Sequence, residues 1–300
     1  MILSDLTPQK AARFGAEVQS FSHALQTRPM FDDAGLIEVL DRYPRDKLGV
    51  FTMGLDPVDW RSWKRGTADG LTGEQLFEAV QKGRIWLNLR AVNRELDSYA
   101  GLAKEIFAEF EAKVPGLRTF GHDVGLLLSS PRAHVFYHLD VLPVTLWQLR
   151  GRKQMWVYPK AAPFVSDEQL ERIVLRETAE QFAFDLAWDE AAAVYTMEPG
   201  MMVAWPQNAP HRLVNDDCMN VSLSIEHQTP EALLRANVIY ANGIMRRRFG
   251  SRPRLQDGFN AANLAKFGLA RAVKAARRQT PKPAIAPSFK LCDRRPGAIL

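Results

Sequence analysis

His138-Leu139-Asp140, with His211 following seventy-one residues after Asp140, sets the hardest condition on how this chain can fold. Two imidazoles and one carboxylate are the ligand set of the facial triad that holds non-haem Fe(II) and leaves coordination positions open. Along a strand successive side chains alternate faces, so His138 and Asp140 point one way and Leu139 the other. His211 must then come from a separate strand. A β-barrel supplies that geometry.

The flanking sequence has the matching pattern. Val141–Leu149 and Gln154–Tyr158 are β-rich apolar runs separated by the basic, glycine-containing turn Arg150-Gly151-Arg152-Lys153, a hairpin signal. Val124–Leu128 is a further apolar run, Gly200–Trp205 reads as a strand closed by the turn Pro206–Pro210, and a new strand starts at His211. Val221–Ile225 alternates apolar and polar residues. Several short strands with turn punctuation in about a hundred residues predict a jelly-roll or cupin-type barrel.

His138-Leu139-Asp140, the hairpin Gln148–Lys153, the closing Tyr158-Pro159, and Pro199-Gly200 with Trp205-Pro206 and Pro210-His211 together resemble the JmjC/cupin-like Fe(II)- and 2-oxoglutarate-dependent oxygenases. The asparaginyl-hydroxylase-like branch is the nearest type. The resemblance runs from about Val124 to about Glu226, roughly a third of the chain. It implies a double-stranded β-helix (jelly-roll/cupin) barrel, with iron on His138, Asp140 and His211 and Lys153 pairing with the distal carboxylate of the co-substrate 2-oxoglutarate. A dicarboxylate in a barrel mouth needs a buried cation, which gives Lys153 a physical reason as well. Family members usually carry Thr or Ser three residues before the first histidine and often Asn six residues after it. Here those positions are Val135 and Val144, with Thr145, Gln148, Tyr137 and Ser224 as candidate substitutes. His134, His122 and His227 are read as lying outside the ligand set.

The fold class expected is therefore mainly β with α flanks. Residues 1–120 read as a mostly helical N-terminal flank with some strands joining the barrel sheet, and residues 121–230 as the barrel, with a connector at 160–198. Residues 231–300 read as a helical, strongly basic C-terminal region and a candidate dimerisation element. In detail, 8–44 and 73–113 read as helical, Gly49–Met53 and Ile85–Leu89 as short strands, and Ser166 and Thr229 as helix starts. Ala261–Arg278 offers a last helix, followed by an extended stretch with Pro281, Pro283 and Pro287.

Charge separates along this plan. Residues 240–300 hold fourteen Lys or Arg against two acids, a net of +12, within a chain whose total is +5, so the rest carries −7. Such asymmetry suggests an acidic protein partner ahead of nucleic acid. No apolar run approaches the roughly 18 residues of a membrane helix, and the N-terminus lacks a basic region followed by an apolar core. Only Cys218 and Cys292 occur, which suits a reducing cytoplasm. The activity that the resemblance implies is hydroxylation of a small molecule, a carrier-bound metabolite or a protein side chain, with release of succinate and CO2. The alternatives are a cupin-fold regulatory or nucleic-acid-binding protein acting through its basic tail, and a metal-dependent cupin that does not use 2-oxoglutarate.

Overall fold

A computed structural model describes residues 1–276 and 285–299. Among these the strands are β1 (Gln19–Ser22), β2 (Gly49–Thr52), β3 (Lys64–Thr67), β4 (Ile85–Leu89), β5 (Phe120–Ser129), β6 (His134–His138) and β7 (Val144–Arg150). They continue with β8 (Lys153–Val157), β9 (Ala193–Met197), β10 (Met201–Ala204), β11 (His211–Asn215), β12 (Asn220–Gln228) and β13 (Phe289–Lys290). The helices are α1 (Pro8–Ala11), α2 (Asp33–Arg42), α3 (Gly73–Lys82), α4 (Val92–Glu95), α5 (Asp97–Lys113), α6 (Asp167–Val174), α7 (Pro230–Phe249) and α8 (Ala261–Ala276).

Strands β5 to β12 are divided between two antiparallel sheets and alternate between them except at β8 and β9, which pair within the smaller one. One contains the order β10-β7-β12-β5 and the other β6-β11-β8-β9, the arrangement of a double-stranded β-helix. N-terminal strands extend the first sheet on both sides, β1 beside β10 and then β4, β2 and β3 beyond β5, with β13 closing the far edge parallel to β3.

Alternation along the strands explains which face goes where. On β12 the apolar residues Val221, Leu223 and Ile225 join the main core, where Leu126, Leu128 and Trp147 of neighbouring strands meet Leu36 and Leu40 of α2, Leu76 and Val80 of α3, and Ile106 and Phe110 of α5. The helices thus cover the outer face of the large sheet. The opposite face holds Ser224 and Glu226 of β12 with Val144 and Leu146 of β7, and it looks across the barrel at the smaller sheet. Helix starts follow local chemistry. Thr72 with Gln75 and Ser166 with Gln169 form capping boxes at α3 and α6. Thr229 caps α7, Pro230 occupies its first turn, and Gly250 ends it in the left-handed conformation.

The β7–β8 turn depends on Gly151, whose φ is +75° and where a Cβ would lie 2.2 Å from the Met219 carbonyl oxygen. Gly151→Ala is expected to lower stability by about 2 kcal/mol, seen as a drop in thermal midpoint. An unchanged midpoint would show that the turn relaxes freely.

Several expectations change. Residues 8–44 are not mostly helical, because Gln19–Ser22 is a strand held by four-residue pairing with β10. Ala193–Met197, within the expected connector, is strand β9, and Lys64–Thr67 forms strand β3. The extended stretch near the C-terminus returns to the sheet as β13. Arg277, Arg278, Pro281 and Pro283 lie outside the described residues. No described helix is long and apolar enough to cross a membrane.

Candidate metal centre and cavity

His138 closes β6, and His211 opens β11 directly opposite it in the antiparallel register. Their ring centroids are 4.1 Å apart. Strand geometry stops at His138, so Asp140 does not share the strand with it as the alternation argument assumed. Instead the connector takes over the backbone: His138 bridges to Gln181, and the Leu139 amide donates to the Glu180 carbonyl. Leu139 is nonetheless fully buried on the other side, against Val165, Leu170 and Ile173. Asp140 therefore still turns to the histidines. Its Oδ2 lies 3.4 Å from His211 Nε2, and one ligand atom from each of the three residues falls within 4.8 Å of the others.

Each imidazole faces its backbone with Nδ1, His138 at 2.7 Å from the Phe136 carbonyl and His211 at 3.2 Å from the Ala209 carbonyl. An Nδ1–H donated there leaves the Nε2 lone pair directed at the shared space. Burial pulls His211 well below its ordinary pKa, and His138 adds to the effect, so this ring is neutral, the form that binds a metal. The donor set, its convergence and the protonation state all fit a divalent transition metal such as Fe(II).

Asn208, buried in the turn before β11, fixes this arrangement. Its Nδ2 donates to the Asp140 carbonyl at 2.9 Å and the Val141 carbonyl at 3.2 Å, while its Oδ1 accepts from Arg235 Nε of α7. Its φ of +67° is one asparagine tolerates. Asn208→Gly keeps that backbone and deletes the clamp, so metal affinity is expected to fall about tenfold, measured by chelator competition. Equal affinity would mean that the Asp140 loop holds itself.

The triad opens onto a cavity of about 730 Å3. Lys153 of β8 also lines it and is almost fully buried. Its ammonium donates to Ser222 Oγ at 2.8 Å, Ser222 donates to Gln148 Oε1, and Gln148 Nε2 donates to Asn220 Oδ1 and the Arg150 carbonyl. Every one of these partners is neutral. Burial accordingly pulls the Lys153 pKa down to about 7. No ion pair to Lys153 forms among the described residues.

Of the other residues singled out for 2-oxoglutarate, Ser224 lines the cavity on β12. Thr145 does not. Its side chain faces the main core and accepts from Trp147 Nε1 at 2.9 Å. Gln148 is buried and reaches the cavity only through Ser222 and Lys153. Tyr137 packs against Tyr158 and Phe184 outside it. Val135 and Val144 line the cavity, joined there by Asn88 of β4 and Ser129 of β5, which sequence reasoning missed. Of the tryptophans, Trp205 stands 4.6 Å from the His211 ring, whereas Trp147 is core and Trp156 stacks on Arg212. His134 pairs across to Val214 and packs on Phe136, and His122 and His227 pack on Phe107.

Nearer the opening, Glu226 and Asp123 are cross-strand neighbours on β12 and β5. Burial pushes the Glu226 carboxyl up to about 7, against the attraction of Arg90 and with the help of Asp140, Asp123 and Glu180. One long wall comes from α7, through Leu233, Asn237, Tyr240 and Ile244. Helix α7 is tied to the connector by Arg246, which donates to both oxygens of buried Glu171 at 2.8 and 3.1 Å, and by Arg247 on Glu177.

No family model matches the chain, and no curated protein matches it. Solved structures similar to it include YcfD of Escherichia coli (17% identity, 87% of this chain and 64% of that one, TM-score 0.46). Another is YcfD described as a ribosomal oxygenase in complex with cobalt and 2-oxoglutarate (18%, 86% and 63%, TM-score 0.46). A cupin domain from Bordetella pertussis is also similar (11%, 38% and 88%, TM-score 0.24). The chain spans less than two thirds of the YcfD length.

Proposed function

We propose that this chain is an Fe(II)- and 2-oxoglutarate-dependent oxygenase that hydroxylates a substrate held in the cavity between its two sheets. One observation carries the reading: a convergent His-Asp-His set and a buried lysine with no counter-ion among the described residues share one cavity. Either alone has ordinary explanations. Together they match the two requirements of a metal-chelating dicarboxylate, a metal with open positions and a cation at the far end.

His138, Asp140 and His211 would hold the iron, and Lys153 would receive the distal carboxylate, with Ser222 and Gln148 orienting the ammonium. Iron with 2-oxoglutarate and oxygen supplies the oxidation of a C–H bond with release of succinate and CO2. The protein's part is placement and exclusion. Trp205, Leu146 and Leu213 give the cavity apolar walls beside the triad, and α7 with residues 173–181 covers its outer side. Ser224, Ser129 and Asn88 are the polar groups available where Val135 and Val144 offer none.

Substrate class, a small molecule, a carrier-bound metabolite or a protein side chain, stays within this reading. An acidic protein partner or a dimer formed through residues 240–300 has less support. Arg246 and Arg247 are already spent on Glu171 and Glu177 within the chain.

The test is the visible spectrum of protein loaded anaerobically with Fe(II), before and after 2-oxoglutarate, with Lys153→Ala alongside. A new charge-transfer band, weakened in the variant, is expected. Iron binding without a band would favour a metal-dependent cupin that does not use 2-oxoglutarate. No iron binding would remove the proposal's basis.

A further inference from the structure

Beyond the triad the cavity runs along α7 towards a basic end. Leu233, Tyr240 and Arg248 of this helix all line it. The start of α7 abuts the loop after Asp140, since Gln207 Nε2 donates to both the Val141 and Ala232 carbonyls. Tyr240 stands seven residues further on, roughly 10 Å at the usual helical rise. At that level Lys274 of α8 enters the cavity wall.

The partners of Lys274 are neutral. Its Nζ donates to Asn237 Oδ1 at 2.9 Å and sits 4.6 Å from the centroid of the Tyr240 ring. Neither Lys274 nor Arg248 has an ion pair among the described residues, whereas Arg247 is committed to Glu171 and Glu177. Among the described residues, Arg176, Arg247, Arg248 and Lys274 line this end with Glu177 and Glu180, four cations to two carboxylates. Lys274 is half-buried, and its pKa is lowered first by burial and then by the positive fields of Arg271 and Arg176. A half-buried cation whose direct partners are neutral and whose charged neighbours are mostly cations is a poor structural device. It is a good receptor for an anion, whose binding would relieve both the repulsion and the desolvation.

We infer that the outer part of the cavity binds an oxyanion of the substrate, a phosphate or carboxylate group, on Lys274, about 10 Å from the Asp140 loop, with Arg248 adding its positive field from roughly two turns further along α7. The inference rests on the oxygenase reading for the word substrate, but the binding site itself does not need iron or 2-oxoglutarate. The cations that the sequence offered as a surface for an acidic partner thus serve in part as a wall of the cavity. The substrate class becomes a small or carrier-bound molecule with a terminal anion.

The test is calorimetric titration of inorganic phosphate, and separately of acetate, into the metal-free full chain at low ionic strength. In a Lys153→Ala background, which removes the cation assigned to 2-oxoglutarate, the chain should bind phosphate, Lys274→Gln should weaken that binding about tenfold, and Arg248→Gln should weaken it less. Lys274→Arg, which keeps the charge, should restore most of the affinity and guards against loss of fold as the cause. Phosphate tighter than acetate would assign a phosphate ester, and the reverse a carboxylate. Absence of binding by both anions would overturn the inference. So would binding that Lys274→Gln leaves undiminished. Failure of the iron spectrum with these results intact would instead fall on the oxygenase reading.

Discussion

His211→Ala is expected to weaken Fe(II) binding at least about 100-fold, more than any change around the ligands would. The ring is buried, held neutral and tied to the Ala209 carbonyl, so nothing else in β11 can take its place. Asp140→Asn should act similarly through loss of the charge while keeping the shape. Metal content after anaerobic reconstitution reads both. A thermal midpoint with and without Fe(II) gives a second view, because a ligand that binds only the folded state stabilises it by mass action. Wild type should gain stability from the metal and the variants should not. Undiminished iron in His211→Ala would place the centre elsewhere.

The second large effect concerns Lys153, where binding and stability should move in opposite directions. Lys153→Met removes the cation expected to meet 2-oxoglutarate, and affinity should fall about 100-fold, on the order of 2–3 kcal/mol for a charged hydrogen-bonded contact. The same change should raise the ligand-free thermal midpoint, since an ammonium buried among neutral groups is replaced by an apolar chain of similar length. The pH dependence follows from the lowered pKa. Between about 7 in the folded chain and 10.5 in the unfolded one, the unfolded state carries a proton that the folded state lacks. Stability of the ligand-free protein contributed by this residue therefore rises with pH across that window. Affinity for the dianion should run the other way and decline above about pH 7, because only the ammonium can receive it. Calorimetry at pH 6.5 and 8.5 on wild type and Lys153→Met checks both. Equal 2-oxoglutarate affinity in the two proteins would sink the assignment.

The barrel was legible because its signals are local. Alternation in Val221–Ile225, the glycine turn at Gly151 and the spacing of His138 and Asp140 each depend on a handful of neighbouring residues. What escaped depends on partners far away. Gln-Ser-Phe-Ser of β1 has little intrinsic strand preference and is a strand because β10 pairs with it. Asn208 reads as one more turn asparagine until the Asp140 carbonyl arrives beside it. The start of helix α7 is legible at Thr229, yet nothing in its sequence says that Leu233, Tyr240 and Arg248 wall the cavity. One error was avoidable. Thr145 and Gln148 are separated by an odd number of positions on one strand, so they cannot both face the same interior. The structure turns Thr145 away and leaves Gln148 reaching the cavity through Ser222.

Strand β12 runs alongside both the lysine and the mouth. Ser222, Ser224 and Glu226 face inward, while Val221, Leu223 and Ile225 seal the helical core. The two rows are interleaved in a single segment. Individual inward residues are thus free to drift over evolutionary time and retune what the barrel accepts. A one-residue insertion or deletion there would exchange the rows, lining the interior with aliphatics and exposing serines to the core. Lineages that share this architecture should therefore differ along β12 by replacement and almost never by length, with changes of length confined to the connector between β8 and β9.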